Sequence, residues 1–181
     1  MAAERNAGQE RLMRVCVWLF CGWLFSPILF LVDNAQAQQP PSPTFSITLH
    51  AAQATVRVGA PVRMTITLTN TSKSVIVVAQ DKSRKGDFTY AVAVRDAEQK
   101  EAPWTDYHRA LRGESRGTPM VVVSGVMPQS LESGQSMVDR LEINDLYDLR
   151  IPGKYTIQVE RADSASKSLV KSNLVTLTIT E

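Results

Sequence analysis

The side chains best suited to catalysis are the two histidines, His50 and His108. A hydrolytic triad needs a histidine beside a serine and a carboxylate, and Asp106 lies two residues before His108. As neighbours on a strand these two would share one face, but no nucleophile motif such as G-x-S-x-G accompanies them; Val123-Ser124-Gly125 is only a turn-like fragment. We predict a structural or solvated role for His108 and a protein that is not an enzyme, with a hydrolase as the alternative.

Methionines are the next candidates, because copper carriers use methionine and histidine ligands. Beyond residue 37 the methionines are Met64, Met120, Met127 and Met137. Met64 falls at a core position of a predicted strand, and the others lack the close Met-x-Met or His-x-Met spacing of a copper site. We predict no metal and no cofactor, with a metal carrier as the alternative.

Oxygen ligands for calcium gather in Asn144-Asp145-Leu146-Tyr147-Asp148. A dedicated calcium loop supplies a longer series of oxygen ligands than these three side chains. We therefore interpret Asn144 or Asp145 as a turn or cap residue that leads into Tyr147.

Cationic and aromatic side chains concentrate in two predicted loops, Asp81 to Asp87 and Trp104 to Thr118. Loops at the ends of β domains often bind partners, and aromatic and arginine side chains are common anchors there. Interleaved carboxylates weaken the positive field, so the alternative for the basic residues is a solvated loop surface. If Trp104 and Tyr107 are buried, they simply close the end of the domain. The predicted binding residues are Lys82, Arg84, Trp104, Tyr107, Arg109 and Arg112.

Residues 1–37 have the pattern of an export signal. Three arginines precede an apolar run from Val15 to Val32, and an A-x-A cleavage site ends at Ala37. We expect cleavage there and a protein in the periplasm or outside the cell. The alternative is an uncleaved membrane anchor, because the run approaches the ~20 residues that span a bilayer. That segment would then be the one contact with a membrane.

Composition narrows the possible partners of the remaining chain. Both cysteines, Cys16 and Cys21, precede residue 38, which leaves the rest of the chain without disulfides or thiol ligands. The formal net charge of +2 provides no field for nucleic acid, so we expect none as a partner. Residues 38–44 form a proline-rich lead that is typical of a stiff tether.

Alternating apolar and polar residues predict strands in one domain, 45–181. The clearest strand runs from Val62 to Asn70. Phe45 to His50 and then Val56 to Val58 predict a first strand that switches sheets. The remaining predicted strands are Val75–Val78 as a buried central strand, Phe88–Val94, Met120–Val123, Met137–Ile143 with Leu141 and Ile143 inward, Tyr155–Glu160 and Leu174–Thr180.

Two irregular stretches interrupt these strands. Trp104, Tyr107 and Leu111 have helical spacing, so they predict a short helix that Thr105 caps and Gly113 ends. Pro128 to Gln135 is interpreted as a turn-rich connection.

A proline-glycine turn precedes Tyr155 in the sequence Pro152-Gly153-Lys154-Tyr155. Immunoglobulin-like sandwiches often place such a tyrosine at a strand corner, where its hydroxyl bonds back to the backbone. Together with V-G-A-P-V-R-M-T-I-T-L-T-N-T-S from Val58 to Ser72, these residues make the chain similar to bacterial secreted immunoglobulin-like domains. That fold includes the intracellular proteinase inhibitor family.

The resemblance covers Phe45 to Ile179 and implies an all-β fold. The expected architecture is an antiparallel immunoglobulin-like β-sandwich of about 7–9 strands, preceded by a signal helix. Structural roles are expected for Tyr155, Gly153, Pro152 and Asn70. Since this fold hosts many functions, we expect an exported non-enzymatic module that binds a protein or cell-envelope partner, with a proteinase inhibitor as the alternative.

Overall fold

The described part of the chain consists mainly of β-strands. A computed structural model describes residues 42–81, 89–114 and 125–181. Its strands are β1 Phe45–Ala51, β2 Thr55–Arg57, β3 Arg63–Asn70, β4 Ile76–Asp81, β5 Ala91–Arg95, β6 Val126–Leu131, β7 Ser136–Glu142, β8 Gly153–Asp163, β9 Ser168–Lys171 and β10 Val175–Thr180. Its helices are α1 Asp106–Leu111 and α2 Ile143–Leu146. The predicted all-β class is confirmed.

Several predictions fall on residues outside the described ranges. These are the signal peptide, the proline-rich lead as far as residue 41, Lys82, Arg84, Met120 and the strand Met120–Val123. Within the described ranges there are ten strands, more than the 7–9 expected. Across the same ranges, every helix is too short or too polar to cross a membrane.

Hydrogen bonding groups the strands into three sheets. One has the order β1-β3-β7, the second has the order β2-β10-β8-β5 with β9 also paired to β8, and the third is β4-β6. The predicted switch of the first strand between sheets is confirmed, since β1 and β2 belong to different sheets. The expectation of purely antiparallel pairing is wrong at β2, which runs parallel to β10. No hairpin joins these two strands, so no turn forces them to be antiparallel.

The two larger sheets share one hydrophobic core. Alternate side chains of β1 and β3 point inward, as the period-2 pattern predicts, and they meet inward side chains of β8 and β10. The core positions include Phe45, Ile47, Leu49, Met64, Ile66, Leu68, Ile157, Val159, Leu177 and Ile179. Burying one such side chain contributes about 1.5–3 kcal/mol.

The prediction of a buried central strand at Val75–Val78 is wrong. Val75 is 52% exposed and Val77 is 68% exposed, whereas Val78 is buried. Among the described strands, β4 pairs only with β6, so it is not a central strand, and the exposed Val75 and Val77 show that one of its faces is not covered. An unbroken apolar run gives no information about whether one face or both are covered.

The turn-rich connection predicted at Pro128–Gln135 is also wrong over its first half. Pro128 lies inside β6 opposite Ala79 of β4. Proline lacks the N–H that a central strand must donate, but a strand at the edge of a sheet tolerates it. Within the described chain β6 has β4 as its one partner, which explains why proline fits here.

One inward position on β7 is an acidic residue. Asp139 is buried and accepts hydrogen bonds from the Tyr90 hydroxyl at 2.9 Å and the Gln80 amide at 3.2 Å. Burial, and then the adjacent Asp139 carboxylate, raise the pKa of Tyr90. Leu141 is inward as predicted; Ile143 is also buried, although it begins α2 rather than ending the strand.

Asn70 ties together the turns at one end of the domain. It is 1% exposed, and its amide nitrogen donates to the carbonyls of Ser74 at 2.8 Å and Leu131 at 2.9 Å. Its amide oxygen accepts from the backbone N–H of Ser72 at 2.9 Å. These bonds satisfy a buried amide, as the structural role predicted for Asn70 requires.

Phe45 and Asn70 mark the end of the domain where β1 begins. Phe45 pairs with Asn70, the last residue of β3. At the other end of β3, Arg63 pairs with Glu142, and the neighbouring Val62 N–H donates to Asn144 Oδ1 at 2.6 Å. Eight residues of strand separate the two ends by roughly 25 Å. We call them the Asn70 end and the Asn144 end.

The expected tyrosine contact is present before β8. The Tyr155 hydroxyl donates to the Ile151 carbonyl at 2.8 Å, and the ring is buried. This bond closes the turn that contains Pro152 and Gly153. Burial raises the pKa of Tyr155.

Asp163 anchors the beginning of β1 to the end of β8. It is 3% exposed, and it accepts from the Thr44 N–H at 2.7 Å, the Ser166 hydroxyl at 2.7 Å and the Ala165 N–H at 3.0 Å. Burial alone would raise the pKa of Asp163, but these donors outweigh burial and lower it to about 2.

The lowered pKa predicts a pH-dependent contribution to stability. The folded state favours the ionised carboxylate, so the contribution is complete above the ordinary pKa of 3.8 and is lost as the pH falls towards 2. Asp163→Asn should lower the free energy of unfolding by about 1 kcal/mol at pH 7, measured by urea denaturation. The deficit should shrink near pH 2, and exposed Glu98→Gln is the control. A deficit independent of pH contradicts this role.

Candidate functional site: a groove beside helix α1

Helix α1 forms where its spacing predicts it. Thr105 caps the helix by accepting the His108 N–H at 3.1 Å, and Gly113 follows with φ of +74°. The left-handed conformation at Gly113 suits a residue without Cβ and ends the helix. The expectation that Asp106 and His108 would share a strand face is wrong, because on a helix Asp106 is exposed whereas His108 is buried.

The segment before α1 is hydrogen-bonded to the C-terminal end of α2 and the residues that follow it. Thr105 donates its N–H to the Leu146 carbonyl at 2.9 Å and its hydroxyl to the Asp145 carbonyl at 2.6 Å. In return the Asp148 N–H donates to the Pro103 carbonyl at 2.8 Å. Two chain segments that are 41 residues apart at Thr105 and Leu146 therefore form one wall.

Three aromatic rings and a carboxylate meet behind this wall: His108 and Tyr147 are buried, Trp104 is half-buried, and Glu101 is exposed. The His108 ring lies 4.6 Å from the Trp104 ring and 5.1 Å from the Tyr147 ring, centroid to centroid. Glu101 Oε1 accepts from the Trp104 indole N–H at 2.9 Å and the Tyr147 hydroxyl at 3.3 Å. One carboxylate therefore fixes two rings.

Tyr147 also supplies a hydrogen-bond donor to the edge strand β5. Its hydroxyl donates to the Val92 carbonyl at 2.7 Å, and the side chain is 1% exposed. Burial, followed by the negative charge of Glu101, raises the pKa of Tyr147. The hydroxyl is thus held in its neutral donor form beside two acceptors.

A groove of about 490 Å³ opens beside the wall on the Trp104 side of α1. We call it the α1 groove. Its main polar and aromatic residues are Trp104, Asp106, Arg109, Asn144, Asp148 and Arg150. Asn144 also contacts Val62, which places the groove at the Asn144 end of the domain.

The charges in the α1 groove are arranged as two ion pairs. Arg109 lies 2.9 Å from Asp106, three residues earlier on the helix. Arg150 Nε donates to Asp148 Oδ1 at 2.8 Å, and this hydrogen bond lowers the pKa of Asp148. Both guanidinium groups are substantially exposed, so the pairs contribute little to stability.

A second groove of about 440 Å³ contacts α1 through His108, Leu111 and Arg112. Arg112 Nε approaches His108 Nε2 at 3.5 Å. Arg161 also lines this groove and donates to the Ala79 carbonyl at 2.8 Å. Both grooves are lined by two arginines, but several leucine and alanine side chains also line the second groove.

The structure separates the predicted binding residues rather than uniting them. Trp104 and Arg109 line the α1 groove, whereas Arg112 lines the second groove. Tyr107 is partly buried and packs against the core. Trp104 also packs against the core and is half-buried, so it is neither the fully buried plug nor the fully exposed side chain between which the sequence left the choice open.

The described residues contain no cluster of three or more His, Cys, Asp or Glu side chains that suits a metal ion. Met64 and Met137 are buried, whereas Met127 is 58% exposed. The oxygens weighed as calcium ligands have protein partners instead: Asn144 accepts from Val62, and Asp148 accepts from Arg150.

Sequence reasoning missed half of the α1 groove. The sequence suggests Asn144 only as a turn or cap residue or a calcium ligand and Asp148 only as a calcium ligand, and it does not single out Arg150. The sequence does not point to Glu101 either, because a glutamate beside a charged turn looks like an ordinary surface residue. The alternation of Asp148 and Arg150 after the apolar Leu146-Tyr147 is the one local hint of a charged rim.

Comparisons with known proteins give little information about this site. No family model matches the chain, and no curated protein matches it. Similar solved structures include a β-glucosidase from Erythrobacter marinus, at 15% identity and a TM-score of 0.41, covering 76% of this chain and 16% of that chain. The alkylpurine DNA glycosylase AlkC from Pseudomonas fluorescens, bound to DNA with an abasic site analog, has 14% identity and a TM-score of 0.39, covering 78% and 32%.

A third similar structure is a β-glucosidase from Listeria innocua in complex with laminaribiose. It has 11% identity and a TM-score of 0.40, covering 77% of this chain and 16% of that chain. This chain thus spans less than a third of each of the three proteins. At such identities and TM-scores the likeness establishes neither the fold nor the activity of this chain.

Removing the Tyr147 hydroxyl should destabilise the domain. Tyr147→Phe keeps the ring contacts but leaves the buried Val92 carbonyl without its donor, which should lower the free energy of unfolding by about 1–2 kcal/mol in urea denaturation. Glu101→Gln retains an acceptor oxygen and serves as the milder control. Equal stability of Tyr147→Phe and the native protein would show that the hydroxyl does not fix β5.

Proposed function

We propose that this chain is an exported immunoglobulin-like β-sandwich module that binds a cell-envelope or protein partner through the α1 groove. Three observations support the sandwich architecture. The two larger sheets share one core, the first strand divides between them, and the Tyr155 hydroxyl bonds to the backbone before β8.

The observation that carries the binding role is the position of the α1 groove. β1 begins at the Asn70 end, and Asn144 places the groove at the opposite end of β3. Strand β8 also places the groove at the end opposite the start of β1. Its C-terminal residue Asp163 bonds to Thr44, just before β1, whereas its N-terminal end follows Arg150 of the groove. A module tethered through its N-terminal lead would present the groove away from the attachment point.

The chemistry of the groove favours binding over catalysis. Its carboxylates are held in ion pairs with arginines. His108 is 3% exposed and packs against Trp104 and Tyr147, which favours a structural role for this ring. Trp104 provides an aromatic anchor of the kind that dominates many interfaces. The proteinase-inhibitor alternative stays a prediction, and a panel of purified proteinases tests it.

Export predicts a defined mature N-terminus. Expression of the full chain with a C-terminal tag should give a processed protein outside the cytoplasm whose first residue is Gln38, because signal peptidase accepts the small-residue site at Ala37. Cell fractionation followed by N-terminal sequencing measures this. An intact Met1 in the membrane fraction would establish the anchored alternative, and an intact chain in the cytoplasm would contradict export.

Partner contact should be confined to the Asn144 end. A photo-cross-linking benzoylphenylalanine at Ile151, which is 67% exposed and adjoins Arg150 of the groove, should capture a partner in intact cells. The same side chain at exposed Glu132, beside the Asn70 end, is the matched control. We expect a distinct cross-linked species from Ile151 only, identified by mass spectrometry. Equal capture from both positions, or from neither, would contradict binding through this groove.

A further inference from the structure

We propose that the α1 groove binds a neutral saccharide, an inference that rests on the binding function proposed above. The groove alone carries this assignment. Its volume of about 490 Å³ lies within the ~300–1,000 Å³ of small-molecule sites. Three features select the ligand class: the charge balance, the planar polar groups and the fixed tryptophan.

The groove has no net charge. Asp106 and Asp148 are each matched by an arginine, Arg109 at 2.9 Å and Arg150 at 2.8 Å. A polyanion or a basic peptide would meet repulsive and attractive charges together, so neither gains electrostatic complementarity. A neutral ligand avoids this conflict and gains hydrogen bonds instead.

The polar side chains of the groove are planar and accessible. Carboxylates, guanidinium groups and amides each present two hydrogen-bonding atoms side by side, a spacing that suits two hydroxyls on adjacent carbons of a sugar ring. The Asp106 side chain is 99% exposed and that of Arg150 is 81% exposed. Asn144, which lines the groove, uses its oxygen for Val62, while its NH₂ group has no hydrogen-bond partner within the described chain.

Trp104 supplies a rigid surface for the apolar face of a sugar ring. Glu101 holds its indole N–H at 2.9 Å, and the His108 ring packs 4.6 Å away. The aromatic ring is therefore oriented before any ligand arrives, which reduces the entropy lost on binding. Aromatic faces pack favourably against the C–H groups that a pyranose presents on one side.

A peptide fits the groove less well. Peptides that bind by adding a strand to a sheet need an unpaired strand edge, but the backbone of the groove wall is already paired. Thr105 N–H bonds to Leu146, and Asp148 N–H bonds to Pro103. Recognition is left to side chains, and most of them are polar.

The test is a glycan array probed with the full chain, with neutral, sialylated and sulfated glycans as separate arms. The best neutral glycan is then titrated by calorimetry, and heparin and a proline-rich peptide are titrated in parallel. We expect selective binding of neutral glycans, with an affinity that changes less than twofold between low and high salt, because no counterions are released. Heparin and the peptide should not bind.

Variants locate the site. Trp104→Ala should weaken binding at least tenfold, Trp104→Phe should retain most of it, and Arg150→Ala should weaken it several-fold without touching the core. Exposed Arg140→Ala, on β7 outside the groove, is the control. Because Arg150 lies at the surface, this variant keeps the test valid if Trp104→Ala unfolds.

Two different failures can be told apart. If no neutral glycan binds, or if binding survives both Trp104→Ala and Arg150→Ala, the saccharide assignment is overturned. Binding of heparin or the peptide in its place overturns the assignment too, while selective cross-linking from Ile151 would still support a binding groove. If that cross-linking also fails, the proposed function falls with it.

Discussion

The buried Tyr147 hydroxyl is the contact on which the Asn144 end of the domain depends. A strand at the edge of a sheet has carbonyls that need donors, and on β5 this hydroxyl satisfies the Val92 carbonyl. The same side chain shares Glu101 with Trp104 and packs against His108. One tyrosine therefore joins the sheet edge, the base of α1 and the groove tryptophan into a single arrangement, so the geometry of the groove follows from the stability of the sheet.

The two ends of the domain differ in how their polar side chains are used, and this difference bears on function. At the Asn70 end, buried Asn70 and Asp163 use side-chain hydrogen bonds to fasten turns and the start of β1. At the Asn144 end, the charged side chains that line the groove form two local ion pairs, Arg109 with Asp106 and Arg150 with Asp148. Buried polar side chains thus fasten the Asn70 end, whereas at the Asn144 end accessible charged side chains lie in front of the buried Tyr147 hydroxyl, a distribution that fits the binding role we propose.

Much of the fold could be predicted because a shared core imposes period 2 on β1, β3 and β10. The predicted change of sheet between β1 and β2 follows from the break in that pattern after Ala51. The errors at β4 and β6 have a different origin: local sequence does not reveal which layer covers a strand, or whether Pro128 sits at an edge. Only half of the candidate site could be predicted from the sequence, for a related reason. Trp104 and Arg109 share a loop and helix, but a backbone pairing 41 residues apart brings Asn144 and Arg150 to them.

The central claim is that the wall of the α1 groove is fixed to the sheet before any partner binds. Amide hydrogen exchange of the full chain tests it directly, since exchange reports local opening. The N–H groups of Ala102, Thr105 and Asp148 bond to Val94, Leu146 and Pro103. The account predicts that these three amides are protected nearly as well as those of β3 and β8. Exchange at the rate of an exposed loop would contradict a preformed groove.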